Sequence, residues 1–289
     1  MNCIDQVITD QYTAIHGDCV EVLKGLPDES IGYSIFSPPF ASLYTYSNSP
    51  RDMGNVRDDA EFFEHLDFLI AELRRVMKPG RNISFHCMDM PSSKERDGVI
   101  GLKDFPGNLL RAFEKHGFIF HAKATIWKDP VTAMQRTKAL GLLHKSVREN
   151  AAMCRMGIPD YLITVRAPGA CERVTHGEEY PVDLWQKVAS PVWMDINPSD
   201  TLQYMSAREH DDERHICPLQ LEVIRRGVML WTNPGDIVLS PFMGIGSEGY
   251  VSLEMGRKFV GVELKASYYQ QAIGNLAAAI AKTKDLFAA

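Results

Sequence analysis

The chain has 289 residues, 45% apolar and 24% charged, with 37 acidic against 31 basic side chains and a net charge of −6, the profile of an ordinary soluble globular protein long enough for one large domain or two. No apolar run approaches the ~20 residues of a membrane helix, and Asp5 and Asp10 interrupt any secretory-type start. Six cysteines at 3, 19, 87, 154, 171 and 217 are scattered without a C-x-x-C pair, so reduced thiols in a cytoplasm are expected rather than a disulfide frame or a zinc site.

Strand-like and helix-like segments alternate along the front half. "YTAIHGD" reads as a strand ending at Asp18, followed by a short helix through Leu23, and "IGYSIF" is the next strand. Phe62, Leu66, Leu69, Leu73, Val76 and Met77 fall on one helical stripe that Pro79-Gly80 is expected to close. "NISFHCM", a helix over "DFPGNLLRAFEKHG" stopped by Gly117, "FIFHAKATIW" and "DYLITVRAP" follow. From about Asp129 to Arg214 the periodicity fades and prolines recur, with Trp185 and Trp193 pointing to packed structure there. The alternation resumes with an amphipathic helix over "CPLQLEVIRRGVMLW", the strand "DIVLSPF", a turn and helix over "GIGSEGYVSLEMG", the strand "KFVGVEL" and a last helix over 266–283. Such alternation predicts an α/β fold, a mostly parallel sheet with helices on both faces.

Two segments carry chemistry. Gly244, Gly246 and Gly249 make G-x-G-x-x-G between a strand and a helix, and the following strand ends at Glu263. Glycine lets backbone approach a ligand closely, and a carboxylate at the next strand end is placed to accept both hydroxyls of a ribose. A nucleoside cofactor follows, either a nicotinamide dinucleotide or S-adenosylmethionine (AdoMet). The second is favoured, because Glu248 at the helix start would repel a pyrophosphate but not a sulfonium zwitterion, and because the motif lies at the far end of the chain.

The other segment is Ser37-Pro38-Pro39-Phe40, which ends the strand "IGYSIF". Ligands of open α/β sheets bind beyond the carboxyl ends of strands. A proline pair there fixes φ and leaves carbonyl oxygens unclaimed by any helix. Ser37 Oγ and the Pro38 carbonyl can therefore both accept from one NH2 group while Phe40 stacks on its ring. Acceptors that favour a tetrahedral nitrogen free its lone pair to attack a methyl group in line with a sulfonium leaving group. The methylated ammonium sheds its proton readily, so a neutral serine suffices.

With both segments in place the sequence resembles the DNA amino-methyltransferases of beta-type motif order, in particular solitary methylases of phages and prophages. The family likeness rests on "HGDCVEVLKGLPDESIGYSIFSPPF", "HICPLQLEVIRRGVMLWTNPGDIVLSPFMGIGS" and "KFVGVEL", in that order, and the likeness to the solitary methylases on the middle stretch "TKALGLLHKSVRENAAMCRMGIPDYLITVRAPG". It implies a Rossmann-like AdoMet-dependent fold with circularly permuted motifs, Asp18 near the cofactor adenine, and His215, Pro218, Leu219 and Gln220 by the methionine end. Ser240, Pro241, Phe242, Gly244, Gly246 and Ser247 would form the cofactor loop and Glu263 the ribose contact. Ser240 departs from the aspartate that the family usually carries before Pro-Phe, so another acid is expected to substitute or the contact to weaken.

The resemblance also divides the chain into a catalytic half (1–128), a target-recognition insert (129–214, with a sheet strand near 160–167) and an AdoMet-binding half (215–289). The basic stretch Arg136, Lys138, Lys145, Arg148 and Arg155, with His144 beside it, falls in the insert. It becomes a candidate contact to double-stranded DNA, some side chains reading bases and others tracking phosphates. Trp127 is either a wall for an extruded base or core packing. The loop 41–57 is a candidate cover for that base. His86, His144 and His210 lack ligand spacing, Cys87 and Cys217 fit core positions, and no metal is implied.

Adenine N6 is the favoured target, with cytosine N4 close behind because Ser in the first tetrapeptide position goes commonly with cytosine in the family. A protein glutamine methyltransferase, a silent DNA-binding subunit and an NAD-dependent dehydrogenase are the remaining alternatives. The resemblance further implies a homodimer without membrane association, in the cytoplasm of a bacterial or phage-infected cell.

Overall fold

A computed structural model of the chain describes residues 3–39, 59–92, 94–137, 144–177, 180–203 and 218–288. A hairpin of β1 (Asp5–Ile8) and β2 (Tyr12–His16) opens it, followed by α1 (Cys19–Leu23), β3 (Ile31–Phe36), α2 (Asp59–Val76) and β4 (Met77–Met88). A two-stranded ribbon of β5 (Met90–Ser92) and β6 (Gly101–Lys103) brackets the short α3 (Lys94–Asp97). Then come α4 (Phe105–Lys115), β7 (Ile119–Ile126), α5 (Pro130–Thr137), α6 (His144–Asn150), β8 (Asp160–Arg166), α7 (Val182–Val188) and β9 (Val192–Trp193). The chain ends with α8 (Leu221–Trp231), β10 (Ile237–Ser240), α9 (Ser247–Glu254), β11 (Lys258–Glu263) and α10 (Ala266–Ala288).

Among the described residues, nine strands form one sheet in the order β1-β2-β11-β10-β3-β4-β8-β7-β9. Its centre, β2-β11-β10-β3-β4, is parallel throughout, and β8 runs antiparallel to both β4 and β7. The last two strands of the chain thus lie between the first ones, which is the permuted arrangement expected from the motif order. All six residues of β3 are buried, as a strand covered on both faces requires. On one face Phe62, Leu66, Leu69, Ile70 and Leu73 of α2 pack with α1 and α4. On the other, Val223, Ile224 and Val228 of α8 pack with Val251 of α9 and Tyr269, Ala272 and Leu276 of α10.

Two expectations need correction. Pro79-Gly80 does not close α2: the helix ends at Val76, and β4 begins at once with Met77 beside Ile31, the proline and glycine lying inside the strand. Gly80 has φ +70 and its amide bonds Ala167 O and Pro168 O, so the pair makes an irregularity that the pairing register absorbs between Ile31 and Tyr33. The second concerns β1, which the sequence reading missed. It is an exposed edge strand with little apolar burial to mark it.

At the amino-terminal end of the sheet, the buried Arg81 guanidinium pairs with Asp236 and donates to Gly32 O. This ties β4 to β3 and to the turn before β10, at the edge opposite Ser37 and Ser240. Arg226, 1% exposed, ties the returning segment to α8. It donates to Asp195 at 2.7 Å and to Glu222 at 3.0 Å and lies over Trp193, and its hydrogen bond holds the Asp195 carboxyl down at about 2.

Candidate active site

Both chemical segments leave neighbouring strands at the same edge. β3 and β10 are parallel partners in the register Val238↔Tyr33 and Leu239↔Ser34. Ser37-Pro38-Pro39 and Ser240-Pro241-Phe242 therefore emerge side by side, and the rings of Phe36 and Phe242 lie 5.7 Å apart. Pro38 is buried, Ser37 and Pro39 half-buried, and none of the three belongs to a helix or strand. Phe40 and the loop 41–57 lie outside the described residues.

The glycine loop is held from the strand beside it. Gly244 N donates to Glu263 Oε2 and Lys265 N to Glu263 Oε1, both at 2.8 Å, while Met243 N bonds Val262 O. A carboxylate can accept about four hydrogen bonds, so these amides orient the group while leaving it chemically able to meet hydroxyls. Gly244 has φ +54, and a Cβ there would meet nothing within 4 Å. Gly249 differs: a Cβ there would come 2.5 Å from Leu276 and Phe259. The first glycine borders open space, and the last lets α9 pack.

The residues around this space suit AdoMet. Its ammonium and ribose hydroxyls are donors, and the buried oxygens Ser240 Oγ, Ser247 Oγ and Gln220 Oε1 have no protein partner among the described residues. Gln220 caps α8, whose far end, at Trp231, lies near Arg81, so its first turn stands at the Ser37 edge. Pro218 and Leu219 precede it, Leu219 being buried, whereas His215 lies outside the described residues. Asp18 caps α1, accepting from Glu21 N at 3.0 Å, and the adjoining Gly17 N bonds Glu263 O. That places Asp18 beside Glu263 at the same edge.

Glu248 is fully enclosed at the first turn of α9, and burial, with the nearby Glu263 charge adding to it, raises its carboxyl to about 8. The repulsion of a pyrophosphate that its charge suggested is therefore weak in the free protein, since the group is mainly neutral near neutral pH. Ser240 leaves no carboxylate at the position before Pro241, and Glu248 is the buried acid closest in sequence to it.

His86, read from the sequence as ordinary, belongs to the site. Its Nδ1 lies 3.2 Å from Ser37 Oγ. Its Nε2 lies 3.2 Å from Asp160 Oδ2, without the alignment of a full hydrogen bond, so that contact is chiefly electrostatic. Lys128 Nζ holds the other Asp160 oxygen at 2.6 Å. Burial alone would raise the Asp160 carboxyl, but His86 and Lys128 outweigh it and hold the group below the usual carboxylate range. The signal in the sequence was a histidine in the buried stretch "ISFHCM" and an aspartate opening the strand "DYLITVR". Their meeting depends on the antiparallel register of β4 and β8, with His86↔Leu162 and Met88↔Asp160.

The basic stretch is anchored at this edge too. Ile126 ends β7 opposite Asp160 at the start of β8, so residues 127–159 form an excursion that leaves and rejoins the sheet beside His86. Trp127, 44% exposed, stands at its root. His144, Lys145 and Arg148 lie exposed on α6, with Lys145 3.4 Å from Glu149, and Arg155 is half-buried. Arg136 lies on α5, its side chain not described, and Lys138 is outside the described residues. Among the described residues no group of three or more His, Cys, Asp or Glu could hold a metal ion, and no helix is long and apolar enough to cross a membrane.

Comparison with known proteins adds independent findings. The DNA methylase family N6_N4_Mtase matches residues 33–274. The type II methyltransferase M1.MboII of Moraxella bovis is 40% identical over 275 residues, covering 88% of this chain and 92% of that protein. The DNA adenine methyltransferase YhdJ of Escherichia coli is 26% identical over 267 residues, 91% of this chain and 82% of that one. The type II methyltransferase M.BglII of Bacillus subtilis is 24% identical over 258 residues; 88% of this chain aligns, spanning 65% of that protein's length. The Thermus thermophilus protein TTHA0409, solved in complex with S-adenosyl-L-methionine, has a TM-score of 0.66 at 23% identity, with 92% of this chain and 94% of that one covered.

Proposed function

The chain belongs to the DNA methylase family of adenine-N6 and cytosine-N4 amino-methyltransferases and is an AdoMet-dependent enzyme of that kind, and from that premise we propose that it methylates the exocyclic amine of a base extruded from double-stranded DNA, adenine N6 ahead of cytosine N4. The observation that carries this reading is the shared exit of Ser37-Pro38-Pro39 and Ser240-Pro241-Phe242 from the paired strands β3 and β10.

Glu263, Gly244, Ser240, Ser247, Gln220 and Asp18 are the residues proposed to hold AdoMet, with Pro218, Leu219, Pro241, Phe242, Gly246 and His215 completing its surroundings. Bound there, AdoMet supplies an electrophilic methyl group on a positively charged sulfur. The carbonyl of Pro38 and the hydroxyl of Ser37 accept the two amine hydrogens, and Phe40 stacks on the base. Fixed acceptors of this kind stabilise the tetrahedral nitrogen of the transition state more than the planar amine of the ground state, which is what acceleration requires.

A paired, stacked amine cannot reach this cleft, so extrusion of the base is part of the proposal. The excursion 127–159, with Lys145 and Arg148 exposed, is assigned to the DNA, Trp127 to the rim of the base pocket, and 129–214 to target recognition. Net charge is no obstacle, because phosphates meet only the local patch. YhdJ, by name an adenine methyltransferase, favours adenine. A homodimer in the cytoplasm and a metal-independent reaction complete the reading.

The deciding experiment incubates the protein with AdoMet and DNA, digests the DNA to nucleosides and separates them by mass. N6-methyl-2′-deoxyadenosine is expected. N4-methylcytosine instead would reverse the order of the two bases, and the absence of both would remove the reading.

A further inference from the structure

Ser37 Oγ, just past the end of β3, His86 on β4 and Asp160 on β8 stand in line behind the amine clamp, at the ends of three adjacent strands of the sheet. His86 is 9% and Asp160 3% exposed, and neither is needed to terminate a strand or cap a helix. Polar side chains this deep are kept in place by hydrogen bonding or by chemistry. Resting on the methyltransferase reading above, we propose that His86, oriented by Asp160, fixes the Ser37 hydroxyl as an acceptor toward the target amine and receives the proton that the amine loses.

One tautomer of His86 meets both neighbours. Asp160 Oδ2, 3.2 Å from Nε2, places a negative oxygen where a ring hydrogen is stabilised, so the hydrogen sits on Nε2 and Nδ1 is bare. Bare Nδ1, 3.2 Å from Ser37 Oγ, then accepts the serine hydroxyl hydrogen. Both lone pairs of Ser37 are left to face the amine. With the opposite tautomer Nδ1–H would occupy one of those lone pairs, and the hydroxyl hydrogen would point toward the amine as a competing donor. Lys128, 2.6 Å from the second Asp160 oxygen, keeps that carboxylate ionised and in place.

The same line moves the proton. As the nitrogen–methyl bond forms, the carbon–sulfur electron pair stays on sulfur and the nitrogen carries one proton too many. That proton passes to Ser37 Oγ while the Ser37 hydroxyl proton passes to His86 Nδ1. The products are a neutral methylamino base, an unchanged serine and an imidazolium facing Asp160, which afterwards gives its proton to water. His86 is thus a positioning residue and a proton acceptor that acts through Ser37.

Two measurements test this. In the cofactor-free protein with 15N-labelled histidine, long-range proton–nitrogen NMR at mildly alkaline pH should show His86 with hydrogen on Nε2, and Ser37→Ala should shift its Nδ1 resonance. Hydrogen on Nδ1, or an Nδ1 resonance indifferent to Ser37→Ala, overturns the proposal without reference to activity. In turnover, His86→Leu should lower kcat about 100-fold, with KM for DNA and Kd for AdoMet unchanged. His86→Asn, whose Oδ1 reaches the Nδ1 position and can accept the serine hydrogen bond but not a proton, should recover only part of the loss, and full recovery would overturn the proton-accepting role. Equal kcat in wild type and His86→Leu also overturns it. If the wild-type protein methylates no DNA, the functional reading fails, and the imidazole resonances still decide the tautomer and the Ser37–His86 hydrogen bond.

Discussion

The Gly244 amide donates to Glu263 Oε2 at 2.8 Å across 19 residues of sequence, locking the turn after β10 to the end of β11. The bond sets the carboxylate beside the only stretch of the loop where a side chain would meet nothing within 4 Å, among its three motif glycines. Glu263→Gln replaces one acceptor oxygen by a donor and sets it against an amide. A charge-assisted bond contributes roughly 1.5–3 kcal/mol, so the Kd for AdoMet should rise about 10- to 150-fold. Isothermal titration measures it; an unchanged Kd would take Glu263 out of the cofactor site.

Phe40→Ala separates binding from transfer. Phe40 follows in sequence the buried Pro38 and half-buried Pro39 beyond the carboxyl end of β3, and the proposal assigns it to the base rather than to the cofactor. Loss of a stacking aromatic costs about 1–3 kcal/mol per base. Methyl transfer should therefore fall roughly 5- to 150-fold, while the AdoMet Kd stays at its wild-type value. A fully active variant contradicts the stacking role.

The parts of this site that were legible in the sequence are those written in consecutive residues. β3 shows as an unbroken apolar run stopped by two prolines, and β10 as a strand feeding a glycine turn, because a strand buried on both faces has no alternation to hide in. What joins them was not legible. Strand order is a non-local property, and nothing in residues 31–36 announces that 237–240 will pair beside them; the block order of the family supplied that expectation. His86 escaped for the same reason, since its partners lie 49 residues before it at Ser37 and across the β4–β8 ladder at Asp160. Pro79-Gly80 misled in another way: residues with strong stop preferences were accommodated by a register shift that only the neighbouring strand reveals.

Arg81 and Asp236 should govern stability and leave the chemistry alone. Arg81 is 3% exposed and pairs with Asp236 at the end of the sheet away from Ser37. Removing one partner of a buried pair leaves an uncompensated charge and costs about 3–5 kcal/mol. Arg81→Met should lower Tm by about 10 °C, with an unchanged AdoMet Kd in the protein that remains folded. The double variant Arg81→Met, Asp236→Asn should cost less than the sum of the single changes, because the orphaned charge is gone. Additive losses would mean that the two side chains act independently.

Glu248 gives the protein a stability that falls with rising pH. Unfolded, its carboxyl releases its proton near the ordinary 4.5; folded, burial holds the proton until about 8. Between those values the native state binds a proton that the unfolded state does not, so each step up in pH favours unfolding, and the loss levels off above about 8. The positive end of α9 works in the other direction, since Glu248 sits in its first turn, but a helix terminus contributes at most about 2 kcal/mol even when partly buried and burial prevails. Glu248→Gln is neutral throughout and lacks this slope. The variant should melt within error of the wild type near pH 5 and above it by about 3 °C or more near pH 9, read by cofactor-free thermal denaturation across the range. Parallel curves for the two proteins would mean that Glu248 is already ionised in the folded state, and its enclosure at the start of α9 would then need a cation to explain it.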